Sequence, residues 1–178
     1  DYVGTFSAVL ITPAVDGVGG EVEWSFDALD AELDELAKDE VRPQIYEVIV
    51  TDSNGGTAVE QVTITLNGVN DQPNVLEPIE RVFNSGMPME TISLLTGAFD
   101  VDGDTIGVEV GFSIVGDDTT GVSVNQADSN VTVTPSAYES LDLGEQATVD
   151  IVYTIVDQHG AVVEQIAEFT FNGLNDPP

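Results

Sequence analysis

The sequence contains no cysteine and only three basic side chains, Lys38, Arg42 and Arg81. Without thiols there are no disulfides, thiolate metal sites or cysteine nucleophiles. Nucleic-acid binding needs Lys and Arg to displace counterions from phosphates, and three cannot make that footprint. Anionic membrane surfaces are excluded on the same ground. No apolar run approaches the ~18–20 residues of a membrane-spanning helix. A single histidine, with no nucleophile-elbow or phosphate-loop pattern, leaves little for catalysis, and no enzyme is expected. Paired carboxylates can cleave glycosidic bonds. Among 33 acidic residues, however, some pairs fall close by chance.

What the chain does have is acid. Its 33 Asp and Glu give a formal charge of −30 over 178 residues. The hydrophobic share of 42% is ordinary for a folded protein, so the acidity does not signal disorder. Val, Ile and Thr runs broken by Gly, Asn and Asp predict an all-β protein. Cations are its natural partners. The length suits one large domain or two ordinary ones, and the strand-like opening at Asp1 reads as a piece of something longer.

The chain is internally repeated. Shifted by 105 residues, Asp52–Pro73 aligns with Asp157–Pro178 at eight identities in 22 pairs. Apolar parity is kept: Val62, Ile64 and Leu66 fall opposite Ala167, Phe169 and Phe171, so the same strand face is buried in both copies. Upstream, Leu36 pairs with Leu141 and Glu40 with Glu145. Two units follow, 1–72 and 73–178. In the second, strands are expected over 108–115, 121–124, 131–134, 149–156 and 162–171, the spacing of a β-sandwich. Val108, Val110, Phe112 and Ile114 would share one face. The first unit has no counterpart of 74–105, so it lacks opening strands. Leu29, Leu33 and Leu36 fit a short amphipathic helix over 27–38, and Trp24 and Phe26 alternate as core.

The stretch Phe99–Thr105, F-D-V-D-G-D-T, places Asp100, Asp102 and Asp104 at alternate positions around one glycine. Carboxylates that close repel one another unless a cation joins them. Calcium takes six to eight oxygens at ~2.3–2.6 Å in flexible geometry, and glycine allows the sharp turn that wraps it. This is not an EF-hand, which needs Gly and Glu where Thr105 and Gly111 stand. Asp117–Asp118 and the Glu21–Glu23 region read as solvated surface, and His159 as a turn residue.

N-G-V-N-D-Q-P (67–73) and N-G-L-N-D-P-P (172–178) resemble the closing signature of the bacterial cadherin-like and VCBS-type repeats of giant RTX adhesins. L-L-T-G-A-F-D-V-D-G-D, V-T-P-S-A-Y-E-S-L and Y-T-I-V-D-Q-H-G match in order in the second unit. G-T-F, W-S-F, V-T-D-S-N-G-G-T and V-T-I-T-L-N-G match a VCBS repeat in the first. The resemblance implies two immunoglobulin-like sandwiches in tandem, calcium at the junctions, and an extender that projects a ligand-binding tip from the bacterial surface in adhesion and biofilm formation. It also implies neighbouring repeats as partners and a secreted monomer. Asn70 and Asp71 would meet Asp100–Asp104 and Asp157 at one junction. Glu139 is a further candidate by analogy, and Asp52 and Asp176 would play equivalent roles toward flanking domains. The alternative is a module that itself binds a peptide or glycan.

Overall fold

A computed structural model describes residues 2–15 and 19–175, so Asp176 lies outside the described residues. The chain divides into two compact units, Asp1–Asn70 and Asp71–Pro178, and both are built from β-strands. The expected all-β class holds.

The first unit consists of two hairpins. Strands β1 (Thr5–Thr12) and β2 (Glu21–Asp27) pair antiparallel, as do β3 (Val41–Thr51) and β4 (Thr57–Asn67). Aromatic rings join them. Phe6 stacks on Tyr46 with centroids 4.3 Å apart, and Tyr2 meets Tyr46 edge-on. The buried Gln44 amide brackets Val3, accepting from its N–H at 2.6 Å and donating to its carbonyl at 3.0 Å. Burial is sparse otherwise. Leu36 and Leu66 are the buried aliphatics, whereas Trp24, expected in the core, is 48% exposed. The expected helix over 27–38 is a single 3-10 turn, Asp30–Glu32. Leu36 is buried but Leu29 stays exposed, so no continuous apolar stripe holds a longer helix against the strands.

The second unit is a sandwich. Its short strands β5 (Asn74–Val75) and β8 (Ala98–Phe99) pair with each other. One sheet has the order β10 (Ser113–Gly116), β13 (Gln146–Asp157), β14 (Val162–Asn172), β6 (Ile79–Asn84), with β9 (Ile106–Val108) also on β13. The other is β11 (Val122–Asn125), β12 (Asn130–Val133), β7 (Glu90–Ser93). Strict alternation along β13 buries every second side chain from Ala147 to Asp157, the pattern of a strand with one face in the core. Between the sheets lie Ile92, Leu94, Val131, Val133, Phe169 and Phe171. Tyr138 stacks on Phe171 at 3.8 Å. Tyr153 Oη donates to the Leu94 carbonyl at 2.9 Å, satisfying a buried hydroxyl.

The strand expected over 108–115 is two strands, β9 and β10. Gly111, at φ +113°, breaks them apart and leaves Val110 exposed, while Val108, Phe112 and Ile114 still face the core. Registers in the long hairpins agree across the 105-residue offset: Val41 faces Asn67 and Thr51 faces Thr57, as Gln146 faces Asn172 and Val156 faces Val162.

Candidate metal centre

Two short ladders position the acidic loop. The β5–β8 pairing sets Asn74 opposite Phe99, so the entry segment runs beside the start of the loop. The β9–β13 pairing sets Ile106 opposite Asp157, carrying the end of the loop to the β13–β14 turn. Within the loop, Asp100 Oδ1 accepts the Asp102 N–H at 3.0 Å and its carbonyl accepts the Gly103 N–H at 3.2 Å. Gly103 sits at φ +77°, a conformation that side-chain-bearing residues resist. The three aspartates therefore turn inward on a tight hairpin of backbone.

One carboxylate oxygen from each of Asp100, Asp102 and Asp104 lies within 4.8 Å of the others. The Asp104 side chain is only 4% exposed. Oxygens of all three (Asp100 Oδ2, Asp102 Oδ1 and Asp104 Oδ2) are buried without a hydrogen-bond partner. Burial pushes the Asp100 carboxyl above its ordinary range, helped by the charges of Asp102 and Asp104 and opposed by the backbone N–H bonds it accepts. Buried acceptors that lack donors are costly, and a cation is what satisfies several at once.

The loop's remaining contacts come from both flanks. The Asp71 N–H donates to Asp102 Oδ2 at 2.9 Å. Gln158 donates to Asp104 Oδ1, and His159 Nε2 stands 3.5 Å from Asp104 Oδ2. Spacing in the sequence does not reach Gln158, because only the β9–β13 pairing makes it a neighbour. Asp157 is buried and shapes the turn that presents these two residues: its Oδ1 accepts the N–H groups of His159 at 2.7 Å and Ala161 at 2.9 Å. Asp52 does the same in the first unit, accepting from Asn54 and Gly56 at 2.8 Å each. Both aspartates close a hairpin.

Asn70 and Asp71 are half-buried, as the last residue of one unit and the first of the next. Glu139 is not brought to the loop. It caps the 3-10 turn Pro135–Tyr138, whose Tyr138 bonds the Asp118 carbonyl. That neighbourhood lies by the start of β13, through the pairing of Gly116 with Val149, whereas the triad lies by its end. Eight strand residues separate Val149 from Asp157, roughly 26 Å. Asp117 and Asp118 are exposed, as are Glu21 and Glu23.

The donor set suits calcium. An ion 2.3–2.6 Å from each ligand tolerates oxygens up to about 5 Å apart, which the triad meets. Asp100, Asp102 and Asp104 would hold it, and the ion would supply the positive charge that three crowded carboxylates lack.

Comparison with known proteins places the chain. Among solved structures it overlaps the extracellular cadherin domains 1–5 of protocadherin gamma B2 at 11% identity, covering 100% of this chain and 32% of that one, with a TM-score of 0.45. For domains 1–4 of protocadherin gamma B7 the identity is 13%, the coverage 98% and 42%, and the TM-score 0.43. A nucleoside hydrolase-related hypothetical protein from Saccharophagus degradans, associated with carbohydrate metabolism, gives 18%, 60%, 26% and 0.40. The chain thus spans less than half the length of these structures. No curated protein matches. A family model does: that of the cadherin-like domain matches residues 69–172. This segment holds the acidic loop and both ladders that position it. Because the match takes in more than half of the 178 residues, the chain belongs to the cadherin-like domain family, whose modules are of the extracellular, adhesion type.

Proposed function

We propose that this chain is a calcium-stabilised structural module of a large secreted bacterial adhesin of the RTX kind, working as an extender at the cell surface in adhesion and biofilm formation. The buried oxygens of Asp100, Asp102 and Asp104 that accept no hydrogen bond, on carboxylates gathered within 4.8 Å of one another, are the observation that carries the calcium part of this reading. The adhesin part is supported by the paired N-D-x-P closures, the first of which resembles that of a VCBS-type repeat, and by membership of the cadherin-like family. Its partners are calcium and neighbouring repeats, and its role is mechanical rather than catalytic.

The mechanism is one of charge. A formal charge of −30 sets the chain against itself, and the loop concentrates that repulsion in a half-buried place. Asp100, Asp102 and Asp104 would hold a calcium ion, whose two positive charges would offset their mutual repulsion. Because Asp102 also accepts the Asp71 N–H, ordering the loop orders the segment by which the chain enters the second unit. Asp157 holds the turn that closes the loop's other flank.

Extracellular calcium modules bind at roughly 10⁻⁴–10⁻³ M. Free ion about a hundredfold above that constant contributes about 2.7 kcal/mol, a large share of a domain's ~5–15 kcal/mol. The test is thermal unfolding of the chain in chelator and with added calcium, with magnesium as control. A melting temperature that rises with calcium, together with binding by equilibrium dialysis, supports the reading. An unchanged melting curve and no bound ion at millimolar calcium would falsify it.

A further inference from the structure

We propose, resting on the calcium reading, that Gln158 is a positioning residue of the acidic loop: its side-chain amide backs Asp104, so that this carboxylate meets the ion through Oδ2 alone. Each of the three aspartates divides its two oxygens in the same way. Asp100 Oδ1 accepts the Asp102 N–H at 3.0 Å, and its Oδ2 accepts no hydrogen bond. Asp102 Oδ2 accepts the Asp71 N–H at 2.9 Å, and its Oδ1 accepts none. Asp104 Oδ1 accepts the Gln158 amide, and its Oδ2 accepts none. In every case the oxygen left over is buried. Three carboxylates, each held by one donor and each with one oxygen to spare, make a set of three one-oxygen ligands.

Two of the three backing donors are backbone N–H groups, fixed by the path of the chain. The third is a side chain, and it serves the most enclosed carboxylate. Asp104 follows Gly103 at φ +77°, and its side chain is 4% exposed. Without a donor on Oδ1, both oxygens of this buried group would lack hydrogen bonds, and the carboxylate could turn about its Cβ–Cγ bond. Calcium takes a carboxylate through one oxygen or through two, and a donor on one of them decides between these modes. A neutral amide also brings no positive charge of its own, so it leaves the place of the cation open. His159 does not take over this role, because its Nε2 stands 3.5 Å from Oδ2, beyond an ordinary N–H···O bond. The turn that aims Gln158 is itself fastened. Asp157 accepts the N–H groups of His159 and Ala161 on Oδ1 and that of Gly160 on its carbonyl. Partners that orient a metal-binding side chain in this way are generally worth about 10–100-fold in metal affinity.

The test compares the whole chain with Gln158→Met, which keeps the length of the side chain but has no donor, and with Gln158→Ala. Gln158 is exposed, so neither change touches the core, and both variants should fold in chelator as the wild type does. Calcium affinity by titration calorimetry should fall about 10–100-fold in both. With europium in place of calcium, luminescence lifetimes in light and heavy water count the waters on the ion. That count should drop in both variants, since a carboxylate released from Gln158 can offer both oxygens. Equal calcium affinity in the wild type and Gln158→Met overturns the proposal, because length alone would then suffice. Weaker binding with an unchanged water count overturns it too. A wild-type chain that binds no calcium is a different result: it removes the calcium reading itself, and the role of Gln158 with it.

Discussion

Asp71 donates its backbone N–H to the Oδ2 of Asp102 at 2.9 Å, a bond across 31 residues that ties the entry of the second unit to its acidic loop. A carboxylate in that position is acceptor for the backbone and candidate ligand for a cation at once. Replacing Asp102 by Asn keeps the shape but removes the charge. Asp102→Asn should abolish the calcium-dependent rise in melting temperature, which for a bound ion worth about 2.7 kcal/mol is on the order of 10 °C for a domain of this size. Calorimetry of both proteins in chelator and in calcium checks this. A full calcium response in the variant would remove Asp102 from the site.

The same loop should make stability depend on pH in a particular direction. Burial, with the charges of Asp102 and Asp104, raises the Asp100 carboxyl above 3.8 in the folded chain. The folded state then holds that proton more tightly than the unfolded state. Without metal, Asp100's contribution therefore becomes less favourable as pH rises from 3.8 through its raised value, and recovers on acidification. Denaturant midpoints in chelator, wild type minus Asp100→Asn, should fall with rising pH across that window. Adding calcium should flatten the difference, because the ion compensates the ionised form. A difference that rises with pH would contradict the assigned environment.

Much of this architecture is legible in the sequence because duplication states it twice. The 105-residue offset aligns β3 and β4 with β13 and β14 residue for residue, and it pairs Asp52 with Asp157, which make the same hairpin bonds. The Asp-x-Asp-Gly-Asp spacing identifies the triad, since alternate side chains around a turning glycine must converge. What the spacing does not carry is set by non-local pairing. The β5–β8 ladder is two residues on each side, too short for any periodicity, yet it is what delivers Asp71 to Asp102. Trp24 and Val110 have core-like positions in their alternation. Their exposure depends on what covers the face, or on a break at Gly111, neither of which a local pattern encodes.

Parity conserved without equal burial leads to a paired mutational expectation. Phe169 is fully buried, whereas its repeat counterpart Ile64 is half-buried on a less covered sheet. Phe169→Ala should cost about 3–5 kcal/mol, the usual range for removing a core aromatic. Ile64→Ala should cost well under that, nearer 1 kcal/mol, since part of the side chain already meets water. Urea unfolding of the two variants, followed by circular dichroism, decides the point. Equal losses would mean that the face of the first unit is as well packed as that of the second.

A pair of glycines tests whether the two units close in the same way. Gly68 donates to the Glu40 carbonyl at 2.8 Å, and Gly173 donates to the Glu145 carbonyl at 2.9 Å, again 105 residues apart. At each, a β-carbon would strike two backbone carbonyl oxygens, those of Leu36 and Ala37 in the first case and of Leu141 and Asp142 in the second. Backbone cannot step aside as a flexible side chain can, so the close passage of the final strand beneath this loop requires glycine. Gly68→Ala and Gly173→Ala should each destabilise the chain by roughly 1–3 kcal/mol, the range for overpacking. The two effects should add when combined, because residues that share no partner act independently. Melting curves of the singles and the double provide the measurement. A harmless Gly68→Ala beside a damaging Gly173→Ala would show that the first unit's closure yields where the second's does not, and that the shared hydrogen bonds there are not held to the same spacing.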